Sequence, residues 1–91
     1  MNKRIVIYTS PTCGPCKQLK ALVAEKEDDF LVPVEVVELS DGNREDFLQR
    51  NIRSVPVVSV QNASGDGEVD RLNGFPGREV LLRRLREWGA L

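Results

Sequence analysis

The pattern of apolar and polar positions changes period along the chain, and each stretch points to a different element. Arg4–Tyr8 (R-I-V-I-Y) is β-branched and apolar almost without interruption, the pattern of a strand buried on both faces. Ser10-Pro11 breaks it. From Cys13 to Asp28 the period becomes helical, with Cys16, Leu19, Leu22 and Val23 at i, i+3, i+6 and i+7. Thr12 is placed to cap this helix, and Pro15 falls in its first turn, where a missing N–H costs little. Val34–Leu39 (V-E-V-V-E-L) reads as a second strand, and Ser40–Asn43 as a turn. A short helix over Arg44–Arg50 follows, anchored by Phe47 and Leu48. Val57–Val60 is a third strand, residues 62–67 (N-A-S-G-D-G) a hairpin turn, and Glu68–Leu72 a fourth strand closed by Asn73-Gly74. Pro76 opens a last helix running to Trp88, with Val80, Leu81, Leu85 and Trp88 on one face.

The order is therefore β-α-β-α-β-β-α. Two strands joined by a helix are expected to be parallel with a right-handed crossover, and two joined by a tight turn antiparallel. Strands apolar on both sides require helices on both faces. The expectation is an α/β fold: a four-stranded mixed sheet flanked by three helices. The 91 residues leave room for a single domain, 1–91. A chain this short buries only about 60–65% of its unfolded surface, so its stability margin is thin.

With 41% hydrophobic and 30% charged residues the composition is that of a soluble globular protein, and no apolar run approaches the ~18 residues of a membrane span. The apolar part of the N-terminal stretch is too short for a signal peptide, so a cytoplasmic protein is expected. The net charge of −1 hides an uneven pattern. The first 24 residues carry Lys3, Arg4, Lys17 and Lys20 and no acid. Residues 25–70 carry twelve acids against four bases, and the last stretch is basic again. A nucleic-acid binder would carry a larger excess with interleaved aromatics, so these read as solvated faces.

Two residue counts narrow the chemistry: no histidine and two cysteines. No Ser-His-Asp triad, Cys-His dyad or imidazole shuttle can be built within this chain. Its chemistry must come from Cys13 and Cys16. The Cys13-Gly14-Pro15-Cys16 spacing lets two sulfurs meet across one tight turn, giving a small disulfide ring that opens and closes without refolding the domain. At the start of a helix after a strand, the unpaired N–H groups and partial positive charge favour a thiolate at Cys13, and Lys17 and Lys20 add to this. Cys13, first in the turn, is expected to be the exposed nucleophile. Cys16, inside the helix, is expected to resolve the mixed disulfide. Gly14 permits close approach of a partner backbone, and Pro15 stiffens the turn. Two other readings stand beside this one. The pair is half of a zinc or iron–sulfur site completed by a second chain, or it is an inert structural disulfide. Val55-Pro56 precedes the third strand. Its proline marks a strand start or edge, or else a cis bond facing the cysteine turn.

These residues resemble the thioredoxin/glutaredoxin superfamily over nearly the whole chain. Cys13-Gly14-Pro15-Cys16 is similar to the thioredoxin active-site tetrapeptide, and Ser54-Val55-Pro56-Val57 resembles the loop that carries the superfamily's cis-proline. The chain departs from both branches. It is shorter than an ordinary thioredoxin and lacks its extra N-terminal strand and helix. It has Thr12 where thioredoxins carry Trp, and Ile7 where they bury an Asp. Glutathione-binding glutaredoxins have Lys where Ser10 stands, and paired acids where this chain has Asn73-Gly74-Phe75-Pro76. Tyr8–Cys13 and Asn73-Gly74-Phe75 look most like the small glutaredoxin-like redoxins that serve ribonucleotide reductase. The resemblance implies a thioredoxin-like fold and a monomer that reduces protein disulfides through a Cys13/Cys16 cycle, with no bound cofactor. It implies a substrate rim of Thr12, Gly14, Pro15, Val55, Pro56 and Gly74, with the Val55 backbone pairing to an extended substrate segment. The implied reductant is a thioredoxin reductase, with glutathione as the alternative. A dimeric metal or cluster carrier, or a non-catalytic subunit using the fold as a binding surface, are the rival readings.

Overall fold

In the computed structural model, which describes residues 2–64 and 67–91, the elements follow in the expected order. They are β1 (Lys3–Thr9), α1 (Gly14–Glu25), β2 (Val34–Glu38), α2 (Arg44–Gln49), β3 (Val57–Asn62), β4 (Glu68–Asn73) and α3 (Arg78–Glu87), with one 3₁₀ turn at Glu27–Asp29. The strands form a single mixed sheet in the order β2-β1-β3-β4. β2 runs parallel to β1, with Ile7 opposite Val36. β3 is antiparallel to β1, and β4 to β3.

The alternation of side chains along the two central strands divides the interior into two cores. Ile5 and Ile7 of β1 and Val58 and Val60 of β3 pack with Leu19 and Leu22 of α1 and Leu81, Leu82 and Leu85 of α3. Val6 and Tyr8, with Val57, point the other way and pack with Phe47 and Ile52. Helices thus cover both faces, two on one and α2 on the other. Each fully buried aliphatic or aromatic side chain contributes roughly 1.5–3 kcal/mol of transfer free energy.

Several sequence expectations shift for local physical reasons. The cap of α1 is Cys13 rather than Thr12, because the Cys13 sulfur itself accepts the N–H of Cys16. The helix stops at Glu25, and the acidic run Glu27–Asp29 is held as a 3₁₀ turn. Helix α3 begins at Arg78 instead of Pro76, since the chain enters it through Gly77 at φ 108°, a conformation L side chains rarely adopt. Its buried stripe is Leu81, Leu82 and Leu85, while Val80 faces solvent. Leu48, expected to anchor α2 with Phe47, is exposed. Strand β2 is an edge, half-exposed along its length, so burial on both sides holds only for the central strands β1 and β3. Of the hairpin turn at 62–67, Gly65 and Asp66 lie outside the described residues. Its closing bond runs from the Asn62 N–H to the Gly67 carbonyl at 2.9 Å.

Candidate active site

Strand β1 ends at Thr9, and a turn closed by the Cys13 N–H on the Ser10 carbonyl (3.4 Å) delivers the chain to the start of α1. This places Cys13 at the helix N-cap with extended backbone, half-exposed, while Cys16 lies one turn inside and 0% exposed. The two form a disulfide, with their Cα atoms 5.2 Å apart. The Cys16 N–H points at the Cys13 sulfur at 3.1 Å. In the disulfide this is a weak contact. When the ring opens, the same N–H, together with the positive end of α1, faces a sulfur able to carry charge and favours its anionic form. No acidic residue stands in the first turn of α1 to oppose this.

The Val55–Pro56 peptide bond is cis, as the second of the two sequence readings has it. It brings the Val55 carbonyl oxygen to 3.8 Å from the Cys13 sulfur. The Gly74 N–H donates to the Pro56 carbonyl at 2.8 Å, which fixes the end of β4 against the same loop. Gly74 itself is at φ 84°, and a Cβ there would meet open space. Thr12, Gly14 and Pro15 are exposed on the cysteine turn. The structure therefore brings Cys13, Cys16, Val55, Pro56 and Gly74 to one end of the sheet, with Thr12, Gly14 and Pro15 on the rim. Ile7, at the position where thioredoxins bury an Asp, is packed in the apolar core.

Sequence reading missed what holds the 51–56 loop in place. Asn51 ends α2 in the left-handed region at φ 59°, and the Ile52 N–H returns to the Phe47 carbonyl at 2.9 Å. Arg71 of β4 donates to the Arg50 carbonyl at 2.8 Å, placing a cation at the carbonyl end of α2. Asn just after a short helix is a recognisable stop signal. Nothing local to Arg71 signals its partner 21 positions away. Also missed was a groove of about 360 Å³ between α2 and this loop, which reaches Val55.

A reversible dithiol at a helix N-terminus, set against a cis-proline loop on this sheet, defines a thiol–disulfide oxidoreductase of the thioredoxin/glutaredoxin class. The family model for glutaredoxin matches residues 5–63. A probable thioredoxin of Methanothermobacter marburgensis is 28% identical over 89 residues, covering 96% of each chain. A protein bearing a thioredoxin name is thus close to this one in length. A 35-residue stretch is 46% identical to part of NADPH-dependent thioredoxin reductase 3 of Arabidopsis thaliana, covering 38% of this chain and 7% of that protein. The oxidised thioredoxin of Plasmodium falciparum superposes with a TM-score of 0.77 and 26% identity, over 99% of this chain and 83% of its own. The chain belongs to the glutaredoxin family, within the thioredoxin/glutaredoxin superfamily.

Proposed function

We propose that the protein is an electron donor that reduces disulfides in protein substrates, with Cys13 as nucleophile and Cys16 as resolving thiol. The observation that carries this is the asymmetry of the pair: Cys13 is half-exposed at a helix N-cap beside the Val55 carbonyl, and Cys16 is fully buried behind it. In the reduced protein the Cys13 thiolate attacks one sulfur of a substrate disulfide. The substrate S–S bond breaks, a Cys13–substrate disulfide forms, and the departing substrate thiolate takes up a proton. Cys16, deprotonated as it approaches, then attacks the Cys13 sulfur and releases the second substrate thiol. Two electrons have passed to the substrate, and the protein leaves as the Cys13–Cys16 disulfide.

Substrate backbone is held in this reading by strand-like pairing at Val55, beside Pro56 and Gly74, with Thr12, Gly14 and Pro15 forming the opposite rim. The open space where a Gly14 Cβ would stand fits the approach of a second chain. The oxidised protein is recharged by a thioredoxin-reductase-type flavoprotein, a reading supported by the thioredoxin-named relative and by the short stretch shared with a small part of such a reductase. The family match favours glutathione as the alternative reductant. Ribonucleotide reductase is a candidate acceptor within this class, and a reducing, cytoplasmic compartment suits the direction of flow. The test is insulin reduction with dithiothreitol, comparing wild type with Cys13→Ser. Wild type accelerates precipitation of the insulin chains, and the variant falls to the uncatalysed rate. Equal rates in the two would sink the reading.

A further inference from the structure

Two of the anchors of the 51–56 loop come from one strand. Arg71 of β4 donates to the Arg50 carbonyl at 2.8 Å and to the Asn51 carbonyl at 3.4 Å. Three residues on, the Gly74 N–H donates to the Pro56 carbonyl at 2.8 Å. The loop is strung between these anchors, and Val55, whose carbonyl oxygen lies 3.8 Å from the Cys13 sulfur, falls between them. Arg71 is itself clamped. Residues three apart on a regular strand point to opposite faces. Glu68 and Arg71 share a face because the β3–β4 register shifts at Val60/Gln61, setting Gln61 opposite Glu68 and Ser59 opposite Arg71. The Glu68 carboxylate accepts from Arg71 Nε at 2.9 and 3.1 Å, and from the hydroxyl of the fully buried Ser59. Behind them the buried Gln61 amide donates to Ser59 at 3.1 Å and to the Tyr8 hydroxyl at 2.9 Å. A surface ion pair needs no such backing; here buried side chains fix the guanidinium that reaches the loop.

We propose that Arg71, clamped by Glu68 and Ser59, is a positioning residue for the reaction: it holds the Val55 carbonyl against Cys13 and so limits the acidity of the attacking thiol. The inference rests on the reading of Cys13 as the nucleophile. Two backbone groups face that sulfur with opposite effects. The Cys16 N–H at 3.1 Å, with the N-terminus of α1 behind it, favours the thiolate. The Val55 oxygen accepts the S–H of the reduced protein and opposes charge on the sulfur, so it favours the thiol. The charged side chains on the adjoining elements are Lys17 and Lys20 of α1, Glu38 of β2, which pairs with Lys20 at 3.0 Å, Arg44 of α2 and Arg53 of the loop. Only Arg53 rides on the segment that Arg71 holds. Withdrawal of Arg53, or loss of the Arg71 charge itself, raises a thiol pKa, whereas withdrawal of the carbonyl lowers it. The sign of the change therefore separates these causes.

The experiment is the titration of Cys13, followed by the ultraviolet absorbance of its thiolate in a Cys16→Ser background, where a single thiol titrates. Arg71→Met lowers the Cys13 pKa by about half a unit, the scale of one weak hydrogen bond. Arg71→Lys, whose single ammonium cannot hold Glu68 and two carbonyls together, shifts it the same way by less. Ser59→Ala, which changes no charge, does likewise. Arg78→Met, which removes the same fork from the exposed pair with Glu25, does not lower it. An unchanged or raised pKa in folded Arg71→Met would overturn the proposal. Should that variant fail to fold, Arg71→Lys and Ser59→Ala decide by the same criterion. A lowering in Arg78→Met equal to that in Arg71→Met would also overturn it, because the effect would then not pass through the loop. Insulin reduction with the native cysteine pair separates the two levels of argument. An inactive wild type fails the reductase reading, whereas an active wild type whose Arg71 variants titrate unaltered fails only the positioning role.

Discussion

Phe47 meets the Tyr8 ring edge-to-face at 5.2 Å and is 3% exposed, whereas its neighbour Leu48 turns to solvent. Of the six residues of α2, Phe47 alone is buried. Phe47→Ala should therefore cost about 3–5 kcal/mol, and Leu48→Ala should stay within about 0.5 kcal/mol. Urea unfolding at constant m-value reads both, and comparable losses would show that the α2 face has been misassigned. The sequence does not separate the two, since both are large and apolar and two turns of helix give too little periodicity to orient them. The cysteines are the opposite case. Their spacing, the proline between them and their place after an apolar run make the cysteine turn readable without coordinates. What could not be read is the Cys16 N–H aimed at the Cys13 sulfur, which makes Cys13, and not Thr12, the cap.

At the level of elements, α1 and α3 share one face of the sheet and are joined at the surface by Arg78 and Glu25, while Trp88, just past α3, donates to Asp70 of β4 at 3.0 Å. The hydrogen bond from Arg78 holds the Glu25 carboxyl below its ordinary value of 4.5. That from Trp88, reinforced by the Arg71 backbone N–H, holds Asp70 below 3.8. Carboxyls depressed in the folded state stabilise it above their unfolded pKa values, and that contribution is lost as pH falls through the folded ones. Stability should thus decline below pH 4.5 for Glu25 and below 3.8 for Asp70. Trp88→Phe, which removes the larger cause at Asp70, should flatten the lower part of that decline in urea midpoints measured against pH. Curves that run parallel for wild type and variant would contradict the assignment. Neither contact was legible beforehand, because Glu25 and Arg78 are 53 positions apart and meet only once the sheet is assembled.

For the whole molecule, the order of elements followed from period changes and turn residues, and with it the sheet and its two covered faces. The pairing of distant loops did not. Val55, Pro56 and Gly74 reach Cys13 only because β3 lies beside β1 and β4 beside β3, a long-range arrangement that local pattern cannot specify. Resemblance of the Ser54–Val57 loop to a known one supplied that link, and the coordinates give its geometry. The same topology leaves one sulfur outside and one inside. This division of labour between the two sulfurs is what a trapping experiment probes. Reduced Cys16→Ser protein is mixed with a disulfide-bridged peptide, and the product is mapped by mass spectrometry. One stable mixed disulfide at Cys13 is expected, and only a trace at Cys16 when Cys13→Ser is treated identically. Equal trapping at the two positions, or none at Cys13, would contradict it.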